Sequence, residues 1–418
     1  MNPKPKLSSK AITVRMYYVG FGDSFLLFVP ASDGRHRKIL IDCGKHQQSV
    51  KAPNIADVAQ QIIEDATDAD GVARIDLVIA THRHQDHVSG FEKPGWDKVE
   101  VKEVWMPWTE DPNDPKAVEI LKAQSTTAGA VHKAAKKKAK LTLGATQQAA
   151  SAAAALAENS LTNAKAMKTL HAGFAGGKKI PRKFLPHKDR TADTFQVAAL
   201  PDVNVHVMGP SRDPKVINDL EDASQEYLLL ARSEPTASNR ALPLFQNLAL
   251  HPKEFAAKHK SLTLKSTDIH RLNNIGDDRE LAAAISNEAA VNGTSLMIMF
   301  EIGKAYMLFP GDAQWGTWNA AMNDTEWHEL LKKSTFYKIG HHGSHNATPI
   351  DFVEKILRQD HFIAMACTGP TQKWTDTIPR PKLMKKLSEI AKGKAKGVIR
   401  SDKQKKPYVD LNVPITGA

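Results

Sequence analysis

Cysteine is scarce. Cys43 and Cys367 are the only two in 418 residues, which excludes a disulfide framework and fits a reducing compartment, the cytoplasm by default. Long apolar runs are missing too. No stretch approaches the eighteen or so residues that span a bilayer. The opening MNPKPKLSSKAITVRMYY passes from basic residues straight into an alternating pattern, without the apolar core of a secretion signal. Aromatic residues make up only 6%, and they are not interleaved with basic ones in the kind of stripe that reads nucleic acid. No tandem repeat occurs.

What is present is a globular composition, 41% hydrophobic and 25% charged, able to bury a core. The length allows two ordinary domains or one large domain with insertions. The charge balance is basic, 57 Lys and Arg against 46 Asp and Glu for a net +11. A positive surface attracts polyanions, although lysine-rich solvated helices produce the same excess without such a partner.

Along the chain, AITVRMYYVG, SFLLFVP and RKILIDCG read as strands, the last ending in a glycine turn. In NIADVAQQIIEDATDA, Ile55, Val58, Ile62 and Ile63 fall at helical spacing. RIDLVIA is a short continuous apolar run of the kind found in strands buried on both faces. Residues 115–183 turn rich in Ala and Lys, a helical insertion. VNVHVMGP returns to strand, 211–288 is a second helical stretch, and TSLMIMFEIGKAYMLFPGD reads as two strands joined at IGK. DFVEKILRQ, HFIAMAC and PKLMKKLSEIAKG then read as helix, strand and helix. The expected fold class is α/β, a sandwich with helices covering two sheets. It is expected as a single domain over residues 1–418 with the two helical insertions.

The chemistry concentrates in THRHQDHVSG, which places His82, His84, Asp86 and His87 within six positions. Composition alone yields such a run in roughly three of a thousand chains of this length. Just after a strand, residues two apart point the same way, so His82 and His84 aim at one ion. Asp86 and His87 open the next turn and face a second position. Imidazole with carboxylate is the ligand set of Zn²⁺, or of Mn²⁺ and Fe, and not of Ca²⁺. The plain alternative is a histidine pair in a polar loop.

H-x-H-x-D-H after a buried strand resembles the signature of the metallo-β-lactamase superfamily of hydrolases. VGFGDSFLLF with ILIDCG, MLFPGD and YKIGHHGSHNATP match further segments in order, over roughly residues 10–110, 200–210 and 290–402. The G-D-S, L-I-D-x-G, G-D and K-x-x-H-H-G-S set, with GVIRSD near the end, is closest to the hydrolase domain of the DNA-uptake protein ComEC and its soluble relatives. The resemblance implies a metallo-β-lactamase-like αββα sandwich and one or two divalent ions, Zn²⁺ or Mn²⁺. It implies His82, His84, Asp86 and His87 as ligands, Asp312 as the carboxylate bridging both ions, and His341 or His342 as the late ligand. Family position favours His341, leaving His342 to bond a carboxylate or contact the substrate. Asp86, His342 and Lys338 are the catalytic candidates, with Lys338 facing an anionic substrate or solvent. His345 is a proton donor or an exposed turn residue. Asp23 and Asp42 are supports beneath the site rather than ligands.

Two departures stand out. The ComEC-like subgroup carries an aspartate where this chain has His84. No mid-chain histidine sits in a ligand context, because His206 in VNVHVMGP reads as a packed or surface strand residue. The first ion is therefore short of a protein ligand. The implied activity is hydrolysis by a metal-bound hydroxide, with a phosphodiesterase or nuclease acting on nucleic acid or an oligonucleotide as the leading reading. The basic runs at 132–140, 178–183 and 392–406 fit that partner. A lactone, thioester or β-lactam hydrolase is the second reading, and a non-catalytic metal-bearing scaffold the third.

Overall fold

The computed structural model describes residues 3–416 except 162, 189–193, 221, 227–278, 347, 358–361, 372–377, 392–396 and 405. Alternation of side chains across the pleat explains how the apolar runs divide. In β1 (Ala11–Tyr17), Ile12, Val14 and Met16 face one way and join a core formed between two sheets. Tyr17 instead belongs to the opposite face. β2 (Ser24–Pro30) and β3 (His36–Cys43) split in the same manner, with Phe25, Leu27, Ile39 and Ile41 inward and Leu26, Phe28 and Leu40 outward.

The first sheet has seven strands in the order β14-β1-β2-β3-β4-β5-β6. It adds β4 (Arg74–Ile79), β5 (Glu100–Pro107), β6 (Arg182–Leu185) and β14 (Tyr408–Pro414). The second sheet has seven strands in the order β13-β12-β11-β10-β9-β8-β7. Its members are β7 (Thr194–Val197), β8 (Leu200–Gly209), β9 (Met297–Ile302), β10 (Ala305–Phe309), β11 (Phe336–Lys338), β12 (Ile363–Ala366) and β13 (Val398–Arg400). Each sheet has an antiparallel half and a parallel half, the parallel strands being β3 to β6 in the first and β10 to β13 in the second.

Helices cover both outer faces. The Ile55, Val58 and Ile62 stripe of α1 (Ile55–Ala66) packs on Leu40 and Val78 of the first sheet. Asn54 caps that helix, its side chain accepting from the Ala56 N–H. On the second sheet, Trp318, Leu331 and Leu387 cover Leu308, Tyr337 and Ala364. They come from α8 (Trp315–Asn323), α9 (Thr325–Lys332) and α10 (Pro381–Ile390). No helix among the described residues is long and apolar enough to cross a membrane.

The Ala/Lys-rich stretch forms α3 (Pro115–Leu141), α4 (Gly144–Leu161) and α5 (Ala164–Ala172), with the one-turn α2 (Gln85–Val88) preceding them in the metal-type motif. The second stretch, expected to be helical over 211–288, opens with a single helical turn. α6 stops after Pro214–Ile217, because the carbonyls of Asp219 and Leu220 turn away to accept from Gly316 and Trp315 at the start of α8. Most of that stretch lies outside the described residues, which resume in α7 (Arg279–Asn292). α3, α4 and α7 share one small core built on Val131, Ala135, Ala153, Leu156, Ala157 and Ala284. Two stretches far apart in the chain thus make one three-helix canopy.

Candidate metal centre

The carboxyl ends of parallel strands are where open α/β sheets bind ligands, and here they converge. Asp42 lies near the end of β3, Thr81 to His84 follow β4, Asp312 follows β10, and Lys338 to His342 leave β11. His84 keeps an extended backbone as the N-cap of α2, so Asp86 and His87 occupy the helix's single turn. Glycine makes this possible: a Cβ on Gly44 would lie 2.3 Å from the His87 backbone nitrogen.

Ligand-type atoms of Asp86, His87, Asp312 and His342 all lie within 4.8 Å of one another, and all four residues are buried. Hydrogen bonds orient the two imidazole rings. His342 Nδ1 is 3.1 Å from the Cys367 carbonyl oxygen. A carbonyl only accepts, so Nδ1 carries a proton, and Nε2 is turned to the cluster, 3.1 Å from Asp86 Oδ2. His87 has Nδ1 2.8 Å from Asp42 Oδ2 and Nε2 3.1 Å from Asp312 Oδ2; both partners are acceptors, so without an ion the ring donates from both nitrogens, and a metal would displace the Nε2 proton. Asp42 is itself anchored, accepting from the Thr81 N–H and hydroxyl at 2.7 Å each. Carboxylate-oriented imidazoles are the usual support of metal ligands.

His82 and His84 form a pair beside this cluster, with His82 Nε2 3.1 Å from His84 Nδ1 and the His82 and His87 ring centroids 4.0 Å apart. Burial lowers the pKa of both, so they rest as neutral imidazoles, the form that binds metal. Two buried atoms, His84 Nε2 and Asp86 Oδ1, make no hydrogen bond. Buried polar atoms without partners are costly, and here they belong to a metal-type donor set. The residues therefore fit a divalent cation.

Charge is balanced tightly. Burial opposes ionisation of Asp86 and Asp312, yet neighbouring His342 and His87 hold both carboxylates well below their usual range. Burial likewise opposes protonation of His87, but Asp312 and Asp42 outweigh it and push its pKa well above normal.

The late histidines have distinct places. His342 Nε2 lies in the four-residue cluster. The His341 ring sits at the rim, Nδ1 3.2 Å from Asn346 Oδ1 and Nε2 3.8 Å from Glu288 Oε1. What His341 gives the cluster is its backbone N–H, donated to Asp312 Oδ1 at 2.9 Å. Both residues adopt left-handed backbone, φ 43° and 51°, conformations that non-glycine residues take up at a cost and mostly at functional sites. Lys338, expected to face an anionic substrate or solvent, is buried beneath the site in contact with Asp23 and 3.6 Å from Asp312 Oδ1. It acts as an internal counter-charge. A second group of ligand-type atoms, Asp23, Asp42 and His87, already has the Lys338 ammonium in it. His345 is half-buried, 3.7 Å from Glu226. His206 lies away from the cluster, bonded to Thr194 and Glu301 across β7, β8 and β9.

Several contributors carry no sequence signal. His46, buried in the loop after β3, accepts the Gln48 N–H on Nδ1 and packs against Phe21, whose ring also meets His342. Asn159 of α4 accepts from the Gln85 N–H, and Asn163 donates to the Arg83 carbonyl, so the canopy grips the motif from above. Glu288 comes from α7. No protein-family model matches this chain, and no curated protein is similar enough to count as a relative.

Proposed function

We propose that the protein is a metal-dependent hydrolase of metallo-β-lactamase type, and that its substrate is a phosphodiester, in nucleic acid or an oligonucleotide. The observation that carries the reading is the buried meeting of Asp86, His87, Asp312 and His342 within 4.8 Å, together with the uncommitted His84 Nε2 and Asp86 Oδ1. His82, His84 and His87 would hold one ion, and Asp86 and His342 a second, with Asp312 between them. When bound, such ions supply Lewis acidity towards a phosphoryl or acyl oxygen and make water a nucleophile near neutral pH.

The protein's own groups set the geometry. Asp42 and the Cys367 carbonyl keep the Nδ1 atoms of His87 and His342 protonated and their Nε2 atoms turned to the cluster. The His341 N–H and Lys338 restrain the Asp312 carboxylate from the sides away from it.

One observation favours the second reading, a lactone, thioester or β-lactam hydrolase. The canopy brings two carboxylates, Glu158 and Glu288, near His46 and the centre, which suits a small substrate better than a polyanion. Metal analysis with parallel assays on a model phosphodiester, DNA, RNA, a lactone and nitrocefin tests the choice. Lactone or nitrocefin turnover without diester cleavage would replace the first reading with the second.

A further inference from the structure

The hairpin joining α3 to α4 is chemically unlike the rest of the surface. Leu141 is 74% exposed and Leu143 85% exposed, the two most exposed large apolar residues among those described. The turn that presents them is built. The Thr142 hydroxyl donates to the Lys138 carbonyl at 2.8 Å, the Gln147 amide donates to the Ala139 carbonyl at 3.2 Å, and Gly144 takes φ +65° to reverse the chain. Behind the leucines, Lys133, Lys136, Lys137 and Lys140 are exposed on the last turns of α3, at spacings that keep them on one side. No Asp or Glu occurs between Glu119 and Glu158. Among the described residues, Glu280 meets this run, on Lys138 at 3.0 Å.

We infer that this hairpin tip docks the protein on an anionic lipid surface, its leucines entering the headgroup boundary and its lysine collar resting on phosphate. The two features choose the partner together. Lysines alone would suit any polyanion, but exposed leucines gain nothing beside a phosphodiester backbone and gain substantially at the acyl boundary. Each lysine near an anionic bilayer strengthens association about fivefold. Position agrees with an anchor rather than a substrate site. Leu143 lies about 24 Å along α4 from Asn159, which grips the metal motif. The bound protein would touch the bilayer at the tip and keep the metal centre well above it. The inference is independent of what the centre hydrolyses.

Sedimentation of the full chain with vesicles tests it, using phosphatidylcholine alone and equal parts phosphatidylcholine and phosphatidylglycerol. The wild type is expected to bind only the anionic vesicles, and more weakly in high salt. The double variant Leu141→Ser with Leu143→Ser keeps every charge and should lose about tenfold in binding. The triple variant Lys136→Gln, Lys137→Gln and Lys140→Gln keeps the leucines and should lose at least as much. Both should melt at the wild-type temperature. Absent binding by the wild type, or equal binding by wild type and variants, overturns the proposal. DNA retention lost with the lysines but kept without the leucines, in a protein that ignores vesicles, would make the tip a nucleic-acid surface. A lowered melting temperature in the leucine variant with no vesicle binding would mean that the chain's own residues cover the tip.

Discussion

Asp42 shows how much of the centre depends on a residue that need not touch a metal. Its carboxylate takes two hydrogen bonds from Thr81 and one from His87, so it holds His87 Nδ1 and leaves Nε2 turned to the cluster. Asp42→Asn should weaken metal affinity by about 10–100-fold while leaving the fold intact, as read by titration with a chromophoric chelator. Unchanged affinity would show that the His87 orientation is set elsewhere. His341 gives a pH dependence. Burial opposes its charge, but Asp312 and Glu288 raise its pKa from 6.5 to about 9. A folded-state pKa above the unfolded one stabilises most below the unfolded value and loses that contribution as pH climbs through the folded value. Metal-stripped protein should therefore melt lower at pH above about 9 than at pH near 6.5, followed by thermal denaturation. A rise over that range would mean the ring does not bear its proton as described.

At the scale of elements, α2 is held between two close approaches. Gly44 passes the backbone of Asp86 and His87, and a Cβ on Gly90 would fall 2.2 Å from Cys43 Sγ. Gly90→Ala forces α2 outward, with an expected loss of about 1–3 kcal/mol in stability and of bound metal, checked by chemical denaturation and metal analysis on one sample. The canopy holds the motif from the other side. Asn163→Ala removes the amide that reaches the carbonyls of Arg83 and Asn159, and should cost about 1–3 kcal/mol with faster amide exchange around Arg83. Exchange confined to α3 and α4 would show that the canopy closes without gripping the motif. The strands, α1 and the motif's strand-to-turn setting were legible because local periodicity encodes them. The canopy's helices were legible as insertions, but their assembly was not, because its core is mostly alanine, which marks no apolar stripe, and its third helix joins from a distant stretch. α6 ended early because its following carbonyls serve α8, a tertiary demand invisible in local sequence.

Across the whole molecule, two sheets with the same succession of antiparallel and parallel pairs bring their strand ends together at one edge. His82, His84, Asp86 and His87 were legible from spacing, and Asp312 and the late histidines from the ordered segments around them. Which late histidine faces the cluster was not. Adjacent residues differ only through the left-handed turn that points His342 inward and His341 to the rim. Lys338 was equally open in sequence, since nothing local reveals that Asp23 holds it under the floor. Asp86, His87, Asp312 and His342 are proposed as a metal-dependent hydrolytic centre. The direct test measures bound transition metal and hydrolysis of a model phosphodiester together, in wild type and Asp86→Ala. At least one ion per chain and measurable cleavage are expected in the wild type, and a fall of about a thousandfold or more in cleavage with reduced metal in the variant. Wild-type protein that binds no transition ion, or that cleaves equally well without Asp86, would contradict it.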